Sequence, residues 1–118
     1  MEQQFLDGIH RALSTVQDAC KQNRRDLCVI AAHLVIEYGA KVLYLRAGKA
    51  IGRKDLKDIL DDLLADGHLG ANLHGEMDTV RRVRNRTYHA AYLPTNAEAQ
   101  QALKIAETFA LLVLGKGT

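Results

Sequence analysis

From Arg25 to about Ala47 the chain is apolar on nearly every side of a helix, through Leu27, Ile30, Leu34, Val35, Tyr38, Val42 and Leu45. Such a helix belongs at the centre of a bundle, with other helices wrapped around it. The rest of the sequence supplies the wrapping. Leu6, Ile9, Leu13, Val16 and Cys20 recur at three- and four-residue spacing, which gives a helix from about Glu2 to Lys21 one apolar stripe. Gly48 and Gly52 then break the chain. A short acidic helix follows from Asp55 to Ala65, ended by Gly67 and Gly70. A fourth helix is expected from about Gly75 to Tyr92. Pro94 stops it, because the residue before a proline resists helical geometry. A fifth opens at a capping box, with Thr95 as N-cap and Glu98 three residues on. Its core face is Ala102, Ile105, Ala106, Phe109, Leu112 and Val113. Strand signals are nearly absent, and short connections make successive helices antiparallel neighbours. The expected fold is all-α, a compact antiparallel bundle of four long helices plus one short helix, forming a single domain over residues 1–118.

Composition narrows the classes of function. A length of 118 residues fits one core, and 47% hydrophobic with 25% charged residues describes a globular chain, not a disordered one. The net charge is only +2, so any preference for nucleic acid must come from local charge. Cys20 and Cys28 form no metal-type pair and no dense disulfide framework. Together with the lack of an apolar leader, they point to a reducing, cytoplasmic setting. His33, Glu37 and Lys41 interrupt the most apolar stretch, so no membrane span is expected. The closing Gly115-Lys116-Gly117-Thr118 reads as a frayed end. Gly48 and Gly52 lack the strand and the Gly-Lys-Ser/Thr ending of a phosphate loop. His68 and His74, six apart with no cysteine nearby, make a poor metal pair, so no metal or other cofactor is implied.

The chemistry gathers in the fourth helix, where Arg81, Arg82, Arg84 and Arg86 fall within six residues. The preceding acidic helix carries five aspartates between Asp55 and Asp66. One reading is bland: two solvated faces that balance each other's charge. Helical position argues for more. Met77, Val80, Val83, Thr87 and Ala91 mark the core-facing arc, and Arg84 falls inside it. A buried charge is costly without a partner, so Arg84 needs a partner or a ligand. Asn85 and His89 are four apart and share a face. Arg84 and His89 lie roughly 140° apart on an ideal helix, so a site using both needs a second surface. On the central helix, His33, Glu37, Lys41 and Tyr44 form a polar stripe at helical spacing. It reads either as a plain solvent face or as that surface, with Glu37 meeting Arg84.

The run Arg84-Asn85-Arg86-Thr87-Tyr88-His89 resembles the signature of the HEPN family (higher eukaryotes and prokaryotes nucleotide-binding domain). That signature is an arginine, a polar residue and a histidine after four to six intervening residues, on a late helix of a small bundle. The resemblance extends from about Arg25 to Leu114. It implies a metal-independent endoribonuclease, active as a homodimer with motifs from both subunits facing one cleft, of the kind found in toxin–antitoxin and phage-defence systems. His89 would then act as general base or acid near the attacking 2′-hydroxyl. Arg84 would hold the scissile phosphate, and Asn85 would orient substrate or histidine. Arg81, Arg82 and Arg86 would track RNA phosphates, with Tyr88 placed to stack a base. Glu37 and His33 would support the cleft. Implied partners are RNA, a second copy, and an antitoxin or nucleotidyltransferase. A tyrosine that some relatives carry two residues after the histidine is replaced here by Ala91, with Tyr92 one further on, which puts control by nucleotidyl transfer in doubt. The alternative within the resemblance is a non-catalytic module for dimerisation or for binding a nucleotide or partner.

Overall fold

The computed structural model describes residues 1–115 and contains five helices: α1 (Glu2–Lys21), α2 (Arg25–Arg46), α3 (Leu56–Ala65), α4 (Ala71–His89) and α5 (Asn96–Leu114). The bundle is all-helical, with no strand among the described residues. Of the four C-terminal residues expected to fray, Gly115 caps α5 and the other three lie outside the described residues.

α2 touches every other helix, whereas α1 does not touch α3 or α4. The remaining helices therefore form an arc around α2 in the order α1, α5, α4, α3. The chain forms two antiparallel hairpins. In α1–α2, Glu2 bonds Arg46, Gly8 meets Tyr38 and Cys20 faces Cys28. In α4–α5, Arg86 bonds Glu98 across the connecting turn. Between the hairpins α2 and α5 run side by side in one direction, since Gly39 meets Phe109 and Arg46 donates to the carbonyl of Val113. α2 is long and apolar enough to cross a membrane by length and composition, yet 61% of its most apolar stretch is buried inside the bundle. Val29, Val35, Ile36, Ala40 and Val42 are fully covered there by Ile9, Val16, Ile59, Met77, Phe109 and their neighbours.

The helix ends follow local chemistry. Asn23, Gly48 and Gly67 take the left-handed conformation just past α1, α2 and α3. In each case the next N–H reaches a carbonyl five residues back, Arg24 to Ala19, Lys49 to Tyr44 and His68 to Leu63. Asp55 caps α3 by accepting from the N–H of Asp58, and Thr95 and Glu98 form the expected capping box of α5.

α4 departs from expectation at both ends. It begins at Ala71, because Gly75 is tolerated inside the helix and Leu73 packs on the core. It ends at His89, so Ala91 lies outside the helix, exposed and at φ 50°. Leu112 of α5 is only partly buried. Cys20 and Cys28 are joined in a disulfide across the α1–α2 turn, a pairing their spacing did not suggest. The antiparallel register of the hairpin sets them opposite each other.

Two glycines give a paired test of packing. A methyl group on Gly39 would stand 2.5 Å from the buried ring of Phe109, whereas one on Gly75 would meet nothing within 4 Å. Gly39→Ala is expected to destabilise by about 1–2 kcal/mol, the overpacking outweighing the better helix propensity. Gly75→Ala is expected to stabilise by about 0.5–1 kcal/mol. Denaturant unfolding reads both, and a common sign would refute the close crossing of α2 and α5. Ala91→Gly is a third substitution of known sign. Relief of the left-handed alanine should raise stability by roughly 0.5–1 kcal/mol, seen as a higher melting temperature.

Candidate functional site

Where α2, α4 and the start of α3 meet, a cleft of about 270 Å³ is lined by His33, Glu37, Asp55, Leu56, Lys57, Arg81, Arg84 and Asn85. Its existence follows from helix lengths. α3 has 10 residues against 22 in α2, so it spans less than half of the face it covers. The groove opens at its first turn, beside the polar positions of α2.

The four arginines of α4 differ sharply in their surroundings. Arg81 and Arg82 both bond Asp78, at 2.9 and 3.1 Å, one turn back on the same helix. Arg86 bonds Glu98 at 3.1 Å and lies over the ring of Tyr92. Arg84 alone of the four has no carboxylate partner among the described residues. Its Nη1 donates to Oδ1 of Asn85 at 3.2 Å, its guanidinium stacks 4.2 Å from the centre of the Tyr88 ring, and its Nε is buried with no hydrogen-bond partner. Of the arginines expected to track phosphates, Arg81 and Arg82 thus carry an intrahelical carboxylate and Arg86 an interhelical one. The signal was present in Asp78, three residues before Arg81 and four before Arg82.

The balance of charge between α3 and α4 is corrected. The α3 aspartates take lysines and a histidine instead of the arginines: Asp61 binds Lys57 and His74, Asp62 binds Lys54, and Asp66 binds Lys49. His74 therefore ties α4 to α3, and His68 stands exposed on the turn between them.

The polar stripe of α2 is not a solvent face. His33 is 4% exposed and Tyr44 is fully buried. The Tyr44 hydroxyl donates to Asp62 and accepts from Lys54, both at 2.6 Å. Glu37 lines the cleft as expected but bonds Lys41 at 3.2 Å instead of Arg84, because the lysine lies one turn along the same helix. His33 of α2 shares the cleft with Arg84 and feels its charge. Burial pulls the His33 imidazole down to about 4, assisted by the positive charge of Arg84 and, less, of Arg81, against the opposing pull of Glu37. It is thus neutral at ordinary pH and makes no hydrogen bond among the described residues.

His89 lies elsewhere. It is exposed at the last turn of α4 and does not line the Arg84 cleft. Asn85 stands between, on the wall of the cleft and also of a second groove with Thr79, Arg82, Val83, Arg86 and Glu98. Within one chain the structure therefore brings together Arg84, Asn85, Tyr88, His33 and Glu37, with Arg81 at the rim, and leaves His89 and Arg82 outside. Among the described residues no cluster of three metal-type side chains exists.

A family model described as a domain of unknown function, DUF4145, matches residues 14–114, and the chain belongs to that family. The match runs from within α1 to the end of α5 and so includes the whole cleft. Comparison with curated proteins and with solved structures returned no match.

The His33 environment sets a pH dependence. The imidazole protonates near 6.5 in the unfolded chain but near 4 in the folded one. Its contribution to stability is complete above pH 6.5 and falls as pH drops to 4, by a limit of roughly 3 kcal/mol. Glu37 lies one turn along α2 from it, and Asp55, Lys57, Arg81 and Arg84 line the same cleft from α3 and α4. His33→Gln, which cannot be protonated, should flatten the unfolding free energy between pH 6.5 and 4.5. An unchanged slope would show that the imidazole is solvated.

Proposed function

We propose that the protein is a metal-independent endoribonuclease of HEPN type, working as a homodimer. The observation that carries this reading is Arg84. A half-buried guanidinium with a buried unpaired Nε and no carboxylate is unfavourable in an apoprotein and is suited to an anionic ligand. Its neighbours fix its plane: Tyr88 stacks on one face, and Asn85 accepts from Nη1. Asn85 therefore orients the arginine.

In the reaction, His89 takes the proton of the ribose 2′-hydroxyl and the oxygen attacks the adjacent phosphorus. The O2′–P bond forms, the P–O5′ bond breaks, and the leaving oxygen collects a proton. The products are a 2′,3′-cyclic phosphate and a 5′-hydroxyl. Arg84 stabilises the negative charge gathered on the phosphoryl oxygens. Because His89 does not line the Arg84 cleft of its own chain, the second copy supplies the facing surface. Tyr88 and Leu93, more than half exposed on either side of His89, offer that copy an apolar contact. The separation of His89 from Arg84 also favours a second reading, a dimerising module that binds RNA or a nucleotide without cutting it.

Incubation with total RNA in EDTA separates the two. Wild-type protein should cleave and leave cyclic-phosphate ends. Arg84→Ala and His89→Ala should each lower the rate by roughly 100-fold or more. Cleavage by His89→Ala at the wild-type rate, or a need for divalent metal, would overturn the nuclease reading. Light scattering that shows only monomer would overturn the dimer.

A further inference from the structure

Each cation in the cleft wall other than Arg84 has a carboxylate partner. Arg81 is held by Asp78, and Lys57 by Asp61. The carboxylates of Glu37 and Asp55 stand on the same wall. Arg84 is thus the one cleft cation without a carboxylate partner, and Glu37 and Asp55 oppose a second negative charge. At about 270 Å³ and open to solvent, it has room for a small anionic group. Its floor is His33, 96% buried, with no hydrogen bond to the protein. A neutral imidazole always carries one N–H donor. Arg84 lines the same cleft.

We infer that this cleft is a subsite for one internal phosphodiester of the RNA, gripped by the guanidinium of Arg84 and hydrogen-bonded by the imidazole of His33. A phosphodiester carries one negative charge, matching the one cleft cation without a carboxylate partner. A terminal phosphate or pyrophosphate carries more and meets Glu37 and Asp55. His33 is a positioning residue here: it fixes one phosphoryl oxygen and carries no charge of its own. The inference rests on RNA being the ligand, and it does not require that the RNA be cut.

The test uses a 2′-O-methyl oligoribonucleotide without terminal phosphates, which binds but cannot be cleaved, with affinity read by fluorescence anisotropy over a range of salt. Removing a hydrogen bond to a charged group should make His33→Leu bind roughly 10- to 100-fold more weakly. Its salt dependence should match wild type, because no charge is lost. His33→Gln, which keeps an N–H, should recover most of the affinity. Arg84→Ala should lose affinity and also lower the log–log salt slope by about 0.7, the share of one phosphate contact on a single strand. Independently of folding in the variants, the His33 ring resonances of wild-type protein should shift with dimethyl phosphate more than with inorganic phosphate. Wild-type affinity in His33→Leu, a preference for inorganic phosphate, or no binding by wild type would overturn the subsite. Binding of the uncleavable strand by a protein that never cleaves RNA would uphold the subsite and remove the nuclease reading alone.

Discussion

The requirement that α2 be enclosed organises the molecule. A helix apolar on nearly all sides must be covered on all sides, and four helices arrange themselves to do so. Two hairpins cover most of it, which brings α2 and α5 together so closely that Gly39 is the space into which Phe109 fits. The remaining face is left to α3, which is too short to finish the task. Polar residues on α2 occur where the cover is incomplete, and the cleft is the uncovered remainder.

That arrangement explains why the site mixes buried and exposed chemistry. His33 and Tyr44 share the polar stripe of α2, but α3 reaches Tyr44 with Asp62 and satisfies its hydroxyl, whereas only the first turn of α3 approaches His33. The same stripe therefore yields a closed structural bond at one end and, at the other, an imidazole facing the cleft with no hydrogen bond to a described residue. On α4 the logic repeats. Asp78 and Glu98 complete the arginines to either side, and Arg84 remains as the one with no carboxylate partner among the described residues.

Much of this was legible in the residues. The period of the apolar positions gave the five helices, and the angular position of Arg84 showed that it had to be accommodated at the edge of the core. What escaped was set by distances between elements, which periodicity does not encode. The burial of His33 depends on how far α3 extends, and the pairing of Cys20 with Cys28 on the register of a hairpin. The early start of α4 escaped for a local reason, since Gly75 reads as a break but is paid for by the burial of Met77, Val80 and Val83 behind it. The ion pairs of the arginines escaped although opposite charges close in sequence, such as Asp78 and Arg82, find each other before distant ones do.

The unpaired Nε of Arg84 has a consequence for the evolution and redesign of this fold. A buried donor without a partner lowers the stability of the free protein, and a leucine or methionine in its place would fill the same arc at lower energetic cost. Selection for stability alone would remove it. Sequence optimisation that scores only the isolated chain would change this position early, and would gain a sturdier bundle without the guanidinium that the proposed ligand needs.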